Sequence, residues 1–171
     1  SIKLSVLEKV LVSLDINNTV IFCNRKKDID ILSRYLTNKN FQTISFHGDL
    51  VQTKRNQALN NFKNGFKKIM IASDVAGRGL DVENISHVIN YDVPKNPEDY
   101  VHRIGRTGRA GKKGVAITLV TKEDFKSINE IENLIKQTIK TLTFSLFTPT
   151  LDNYNYDTLN NSDHIPNFLK R

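Results

Sequence analysis

Residues Thr19 to Cys23 read TVIFC, a continuous apolar run rich in β-branched side chains. A run without polar alternation predicts a strand covered on both faces. Further short runs predict strands at Gln42 to Phe46, Lys68 to Ala72, His87 to Tyr91 and Val115 to Val120. Between them the apolar spacing becomes helical. Leu4, Leu7, Leu11 and Leu14 define a first helix, broken at Asn17-Asn18. Ile29, Leu32 and Leu36, with Ile31 and Tyr35 alongside, define a second over Lys26 to Thr37. A third runs from about Val51 to Lys63, with Val51, Arg55, Ala58, Leu59 and Phe62 along one side, Asp49 as its cap and Gly65 as its end. Pro97 begins a short helix. A last helix spans Glu123 to Lys136, with Phe125, Ile128, Ile131 and Ile135 facing the core. Strands alternating with helices predict a single α/β domain, a parallel sheet with helices on both faces. In such sheets ligands sit beyond the carboxyl ends of the strands.

The net charge is +7, and residues 1–144 carry more than all of it, with 23 bases against 15 acids. The positive charge therefore belongs to the domain, a balance that fits a polyanionic partner. The single cysteine, Cys23, excludes an internal disulfide and lies in an apolar run that predicts a buried, inert thiol. The four histidines have no zinc-like spacing. No apolar stretch approaches membrane-spanning length, and no charged-then-apolar leader is present, so a soluble intracellular chain without membrane contact is expected. The start at Ser1 is expected of a fragment of a longer protein. The segment Ser145 to Arg171 has no periodicity and is expected to be a loop or loosely ordered extension to a domain over residues 1–144. Its tyrosines could stack on bases or pack back on the domain.

The stretch from Val101 to Gly114, VHRIGRTGRAGKKG, is chemically the most telling. Arg103, Arg106 and Arg109 recur every three residues, interleaved with Gly105, Gly108 and Gly111. One turn of helix fits this pattern; a long helix does not. Guanidiniums grouped this way call for anions, and their planar fork suits phosphate oxygens.

HRIGRTGRAG resembles the last helicase motif of the DEAD-box RNA helicases. His102 favours that family over related helicases, which usually carry glutamine there. SDVAGRGLDV (Ser73 to Val82) resembles the family's preceding motif, and FHGDLVQTKR (Phe46 to Arg55) its HGD–Q–R element. TVIFCNRKKDIDIL resembles the strand opening the family's second RecA-like domain. The four motifs occur in family order over about Thr19 to Val120.

The resemblance implies a RecA-like fold and half of each of two sites. Arg106 and Arg109 would be arginine fingers on the γ-phosphate side of ATP, with Gly79 and Asp81 also on the nucleotide; Asp81 would meet the ribose. His102 would couple this domain to the acidic motif of the N-terminal RecA-like domain, or be an ordinary hydrogen-bonded histidine. Asn24, Gly48, Gln52, Arg55, Ser73 and Asp74 would face the RNA backbone, although Arg55 could instead pack its stem on the core. Arg103 would brace the motif, and Arg78 would pair with a nearby acid. Where the family commonly has threonine after the asparagine, this chain has Arg25. No phosphate loop of the form G-x-x-x-x-G-K-[ST] and no Asp-Glu-Ala-Asp tetrad occurs, which places the ligands for Mg2+ and the β-phosphate outside the chain.

The expected activity is therefore that of half an ATP-dependent RNA helicase. A nucleic-acid module without catalysis would not need arginines at an ATP rim. Half of a DNA translocase is disfavoured by His102. Binding of protein cofactors is compatible with any of these. AITLVTKEDFKSINEIENLI faintly resembles ribosome-assembly members, which would imply a nuclear or nucleolar location, with the cytoplasm as the alternative.

Overall fold

A computed structural model describes residues 2–14, 16–78, 82, 85–108 and 113–141. Five parallel strands form one sheet: β1 (Thr19–Phe22), β2 (Thr43–Phe46), β3 (Ile69–Ala72), β4 (His87–Asn90) and β5 (Val115–Thr118). Their order is β2-β3-β1-β4-β5, so the TVIFC run is the central strand. Thr19 pairs with Ile69 on one side and His87 on the other. All four residues of β1 are buried, as a strand covered on both faces requires.

Alternate residues of the strands feed two cores. Val20, Phe22, Phe46, Met70, Ala72 and Val88 pack with Ala58 and Phe62 of α3 (Gln52–Lys63) and Ala76 of α4 (Asp74–Gly77). Ile21, Ile69, Ile71 and Ile89 pack with Leu7 and Leu11 of α1 (Ile2–Ser13) and with Ile29, Leu32 and Leu36 of α2 (Lys26–Asn38). A third cluster joins α5 (Pro97–Ile104) to α6 (Phe125–Ile135) through Tyr100, Ile104, Ile131 and Ile135. Burial in that cluster pushes the Tyr100 hydroxyl up to about 12.

Four details depart from the sequence reading. Asp49 does not cap α3: the cap residue is Val51, which makes no side-chain cap bond, and Asp49 pairs instead with Lys26. A cation within reach competes better for the carboxylate than the backbone amides do. Val51 is 61% exposed, off the face it was assigned to. Phe125 is 56% exposed, because a turn of 3-10 helix (Lys122–Asp124), held by reciprocal Thr121–Asp124 capping, precedes α6 and leaves Phe125 off the core side. The edge strand β5 also ends at Thr118, short of Val120.

Cys23 follows β1 and is fully buried. Burial, with Asp92 nearby, pushes its thiol far above the ordinary range. The folded protein should therefore resist thiol reagents at pH 8, where an exposed cysteine is substantially thiolate. One thiol should titrate only in denaturant; rapid labelling of the native protein would contradict this burial.

Candidate nucleotide and RNA interface

The parallel sheet places the turns after β1, β2, β3 and β4 on one rim. Asn24 stands after β1, His47 to Asp49 after β2, Ser73 after β3 and Asp92 after β4. The arginine stretch reaches the same rim through α5. Asn96 caps that helix by accepting from Glu98 N (3.1 Å), and Pro97 occupies its first turn. Glu98 and Asp99 lie at its amino end and His102 and Arg103 at its carboxyl end, both favourable to the helix dipole.

Arg103 is 2% exposed. Its five N–H donors all find acceptors. Nε and Nη2 grip the two oxygens of Asp74 at 2.6 and 2.8 Å. Nη2 also donates to Asn24 Oδ1 (2.7 Å), and Nη1 donates to Asn90 Oδ1 (3.2 Å) and the Asp92 carbonyl (2.7 Å). The guanidinium lies 5.3 Å from the centre of the Phe22 ring. Asn24 also bonds inward, its Nδ2 donating to the Val93 carbonyl (2.8 Å) and its backbone N to Asp92 Oδ2 (3.0 Å). The side chains of Asn24 and Asp74 thus meet Arg103 at this rim.

Beside this hub is a pocket lined by Phe22, Gly77, Arg78, Asp99, His102 and Arg106 together with Asp74 and Arg103. Arg106 Nη2 donates to the Arg78 carbonyl (2.9 Å). Arg78 pairs with Asp99, as its expected local acid. His102 is mostly exposed, with Nδ1 3.8 Å from the Asp99 carboxylate. The sequence therefore brings His102 and Arg106 together. Arg109, Gly79 and Asp81 lie outside the described residues.

Gly48 is exposed, with open space where a Cβ would point. Gln52 is exposed on the first turn of α3 and donates to Asn56 (2.9 Å). Arg55 is half-buried, with its guanidinium over the Phe46 ring, 4.9 Å from the ring centre. A guanidinium on an aromatic face still presents the donors at its edge to a phosphate. The Ser73 hydroxyl is buried and, among the described residues, has no hydrogen-bond partner; the same holds for His47 Nδ1. An unpartnered buried hydroxyl fits a ligand oxygen arriving at the turn after β3. Arg25 bonds Asp28 (2.7 Å) and remains largely exposed.

Sequence reasoning missed Asn90, which is fully buried and orients Arg103 from the end of β4. A polar residue closing the apolar run HVIN was its only signal. Among the described residues no group of three or more His, Cys, Asp or Glu side chains forms a metal site, and no helix is long and apolar enough to cross a membrane.

Together the parallel sheet and its arginine-braced rim define a RecA-like domain. A family model described as the helicase conserved C-terminal domain matches residues 2–111. The ATP-dependent RNA helicase FAL1 of Kluyveromyces lactis is 52% identical over 128 residues, 75% of this chain and 32% of that protein. A crystal structure of the E. coli DEAD-box protein SrmB, bound to regulator of ribonuclease activity A, matches with a TM-score of 0.77 at 32% identity. That match covers 83% of this chain and 84% of that one. Dbp5 of S. cerevisiae, bound to RNA and ADP BeF3, matches with a TM-score of 0.72 at 36% identity, covering 77% of this chain and 35% of that one. The chain belongs to the helicase conserved C-terminal domain family, as the C-terminal RecA-like domain of a DEAD-box protein. It spans about a quarter to a third of the length of the curated relatives it matches.

Gly77 is the tightest point in this site. A Cβ there would lie 2.5 Å from Cε1 of Phe22, whose ring is buried and held beneath the Arg103 guanidinium. Gly77→Ala should therefore cost about 1–3 kcal/mol, the range for overpacking a filled interior. A urea melt of the variant would check this, and an unchanged midpoint would mean that the ring yields freely.

Proposed function

We propose that the chain is the C-terminal half of an ATP-dependent RNA helicase. In this reading it works with an N-terminal RecA-like domain to remodel RNA duplexes or ribonucleoprotein particles. The observation that carries it is the placement of Arg106 and His102 in one pocket, on the same rim as the buried, unpartnered Ser73 hydroxyl. ATP, when bound, supplies a γ-phosphoryl group for transfer to water. Arg106, with Arg109, faces the charge that develops on that group, and Gly79 and Asp81 approach the nucleotide. His102 meets the acidic motif of the N-terminal domain. That domain carries the phosphate loop and the ligands for Mg2+.

On the RNA side Ser73, Gly48, Gln52 and Arg55 follow the phosphate backbone, as do the turns bearing Asn24 and Asp74. Amides at the start of α3 add donors there. Contacts of this kind position a strand without reading its bases. The faint resemblance of the AITLVTKEDFKSINEIENLI segment to ribosome-assembly members is the basis for proposing a role in ribosome biogenesis and a nuclear or nucleolar site of action, with the cytoplasm as the alternative. Protein cofactors are further partners in this reading; a neighbouring structure is of S. cerevisiae Dbp5 bound to Gle1.

Two measurements test the reading. RNA binding should be indifferent to sequence and steeply salt-dependent. Arg55→Ala should flatten the slope of log affinity against log salt by about one. A changed sequence preference at constant slope would instead mean base readout. The chain alone should not turn over ATP. In the intact protein Arg106→Ala should lower RNA-stimulated turnover by a factor of about 10³, the lower end for arginine fingers. Arg106→Lys should rescue poorly, since lysine lacks the fork. Near-normal turnover of Arg106→Ala would show that the finger is elsewhere.

A further inference from the structure

We propose that Arg103 is a positioning residue that makes delivery of Arg106 to the nucleotide depend on RNA held at the turns after β1 and β3. The inference rests on the helicase reading above. Arg103 itself cannot meet a ligand without giving up a bond, because all five of its donors are used inside the domain. Its acceptors come from three separate turns: Asn24 after β1, Asp74 after β3, and Asn90 with Asp92 at the end of β4. The guanidinium thus touches both RNA-side turns and the end of β4.

Arg106 is fastened to the elements that Arg103 clamps at two points. Its backbone N–H donates to the Arg103 carbonyl (3.1 Å), and its Nη2 donates to the carbonyl of Arg78, the residue that ends α4. α4 begins with Asp74, the bidentate partner of Arg103. A phosphate drawn to the Ser73 hydroxyl moves the neighbouring Asp74. Close-packed interiors pass such shifts on instead of absorbing them. The fork then carries the shift to the end of α5, where Arg106 departs. In this arrangement Asn24 and Asp74 serve RNA binding through Arg103, and the RNA itself meets backbone and the Ser73 hydroxyl.

The test is a double-mutant cycle in the intact protein, read as single-turnover ATP hydrolysis at saturating ATP and saturating RNA, with a thermal melt of each variant. Lysine offers three donors from a point and cannot hold these five acceptors. Arg103→Lys should lower RNA-stimulated hydrolysis about tenfold. In an Arg106→Ala background the same change should cost less than about twofold, because its effect passes through Arg106. Equal losses in both backgrounds, or full activity of Arg103→Lys, would overturn the proposal. If Arg103→Lys does not fold, Asn24→Ala replaces it, since that removes one acceptor and leaves the Asp74 fork intact. The same dependence on Arg106 is expected. If Asn24→Ala only raises the RNA concentration required, with full hydrolysis at saturating RNA, Asn24 contacts RNA directly and the proposal fails. Hydrolysis by the unmutated protein is read first; no stimulation by RNA there would sink the helicase reading, and this proposal with it.

Discussion

The structure turns on one buried cation. Placing a guanidinium inside a domain is costly unless every donor is met and the charge is paired. Arg103 meets both conditions through Asp74, two asparagines and a carbonyl. Removing one member of such a pair commonly costs about 3–5 kcal/mol, because the other charge is left alone. An apolar residue of similar size could fill the space, but it would not tie together turns from three strands. What the interaction contributes beyond stability is therefore relative position. The spacing between the arginine stretch and the rim depends on hydrogen bonds whose lengths vary little.

Around that cation, closeness is obtained by omitting side chains. Gly77 lets α4 rest against the Phe22 ring, the ring on which Arg103 stacks. Gly114 does the same further along: a Cβ there would collide with the Thr107 hydroxyl and the Gly108 backbone. Thr107 in turn donates to the Ile85 carbonyl (2.6 Å), which anchors the arginine stretch to the segment leading into β4. Gly108 has φ 67, a left-handed turn that other residues adopt reluctantly. The glycines of the stretch thus divide their work between turning the chain and letting it approach.

Much of this was legible in the sequence, because burial on both faces leaves an unbroken apolar run. TVIFC announced the central strand, and helical spacing announced α2 and α3 to within a residue or two. The rim followed from topology, since parallel strands end on the same side. What could not be read was competition between partners. Nothing local told that Asp49 would prefer Lys26 to the amides of α3, or that a 3-10 turn would rotate Phe125 into solvent. The site divided in the same way. His102 and Arg106, four residues apart, line one pocket. That Asn24 and Asp74 face Arg103, with Asn90 as a further acceptor, depends on contacts between residues far apart in the chain.

The strand order has a consequence for how the molecule comes into being. β1 sits at the centre of the sheet yet is the first strand made, and neither neighbour, β3 or β4, follows it directly in sequence. On a ribosome it must wait with both edges open while α2, β2 and α3 are synthesised. Pairings between distant segments form slowly and leave sticky edges exposed in the meantime. Val20, Ile21 and Phe22, buried in the finished domain, thus stay exposed during synthesis until β3 and β4 have emerged. The nascent chain accordingly has most need of a chaperone after β1 has emerged and before β4 has.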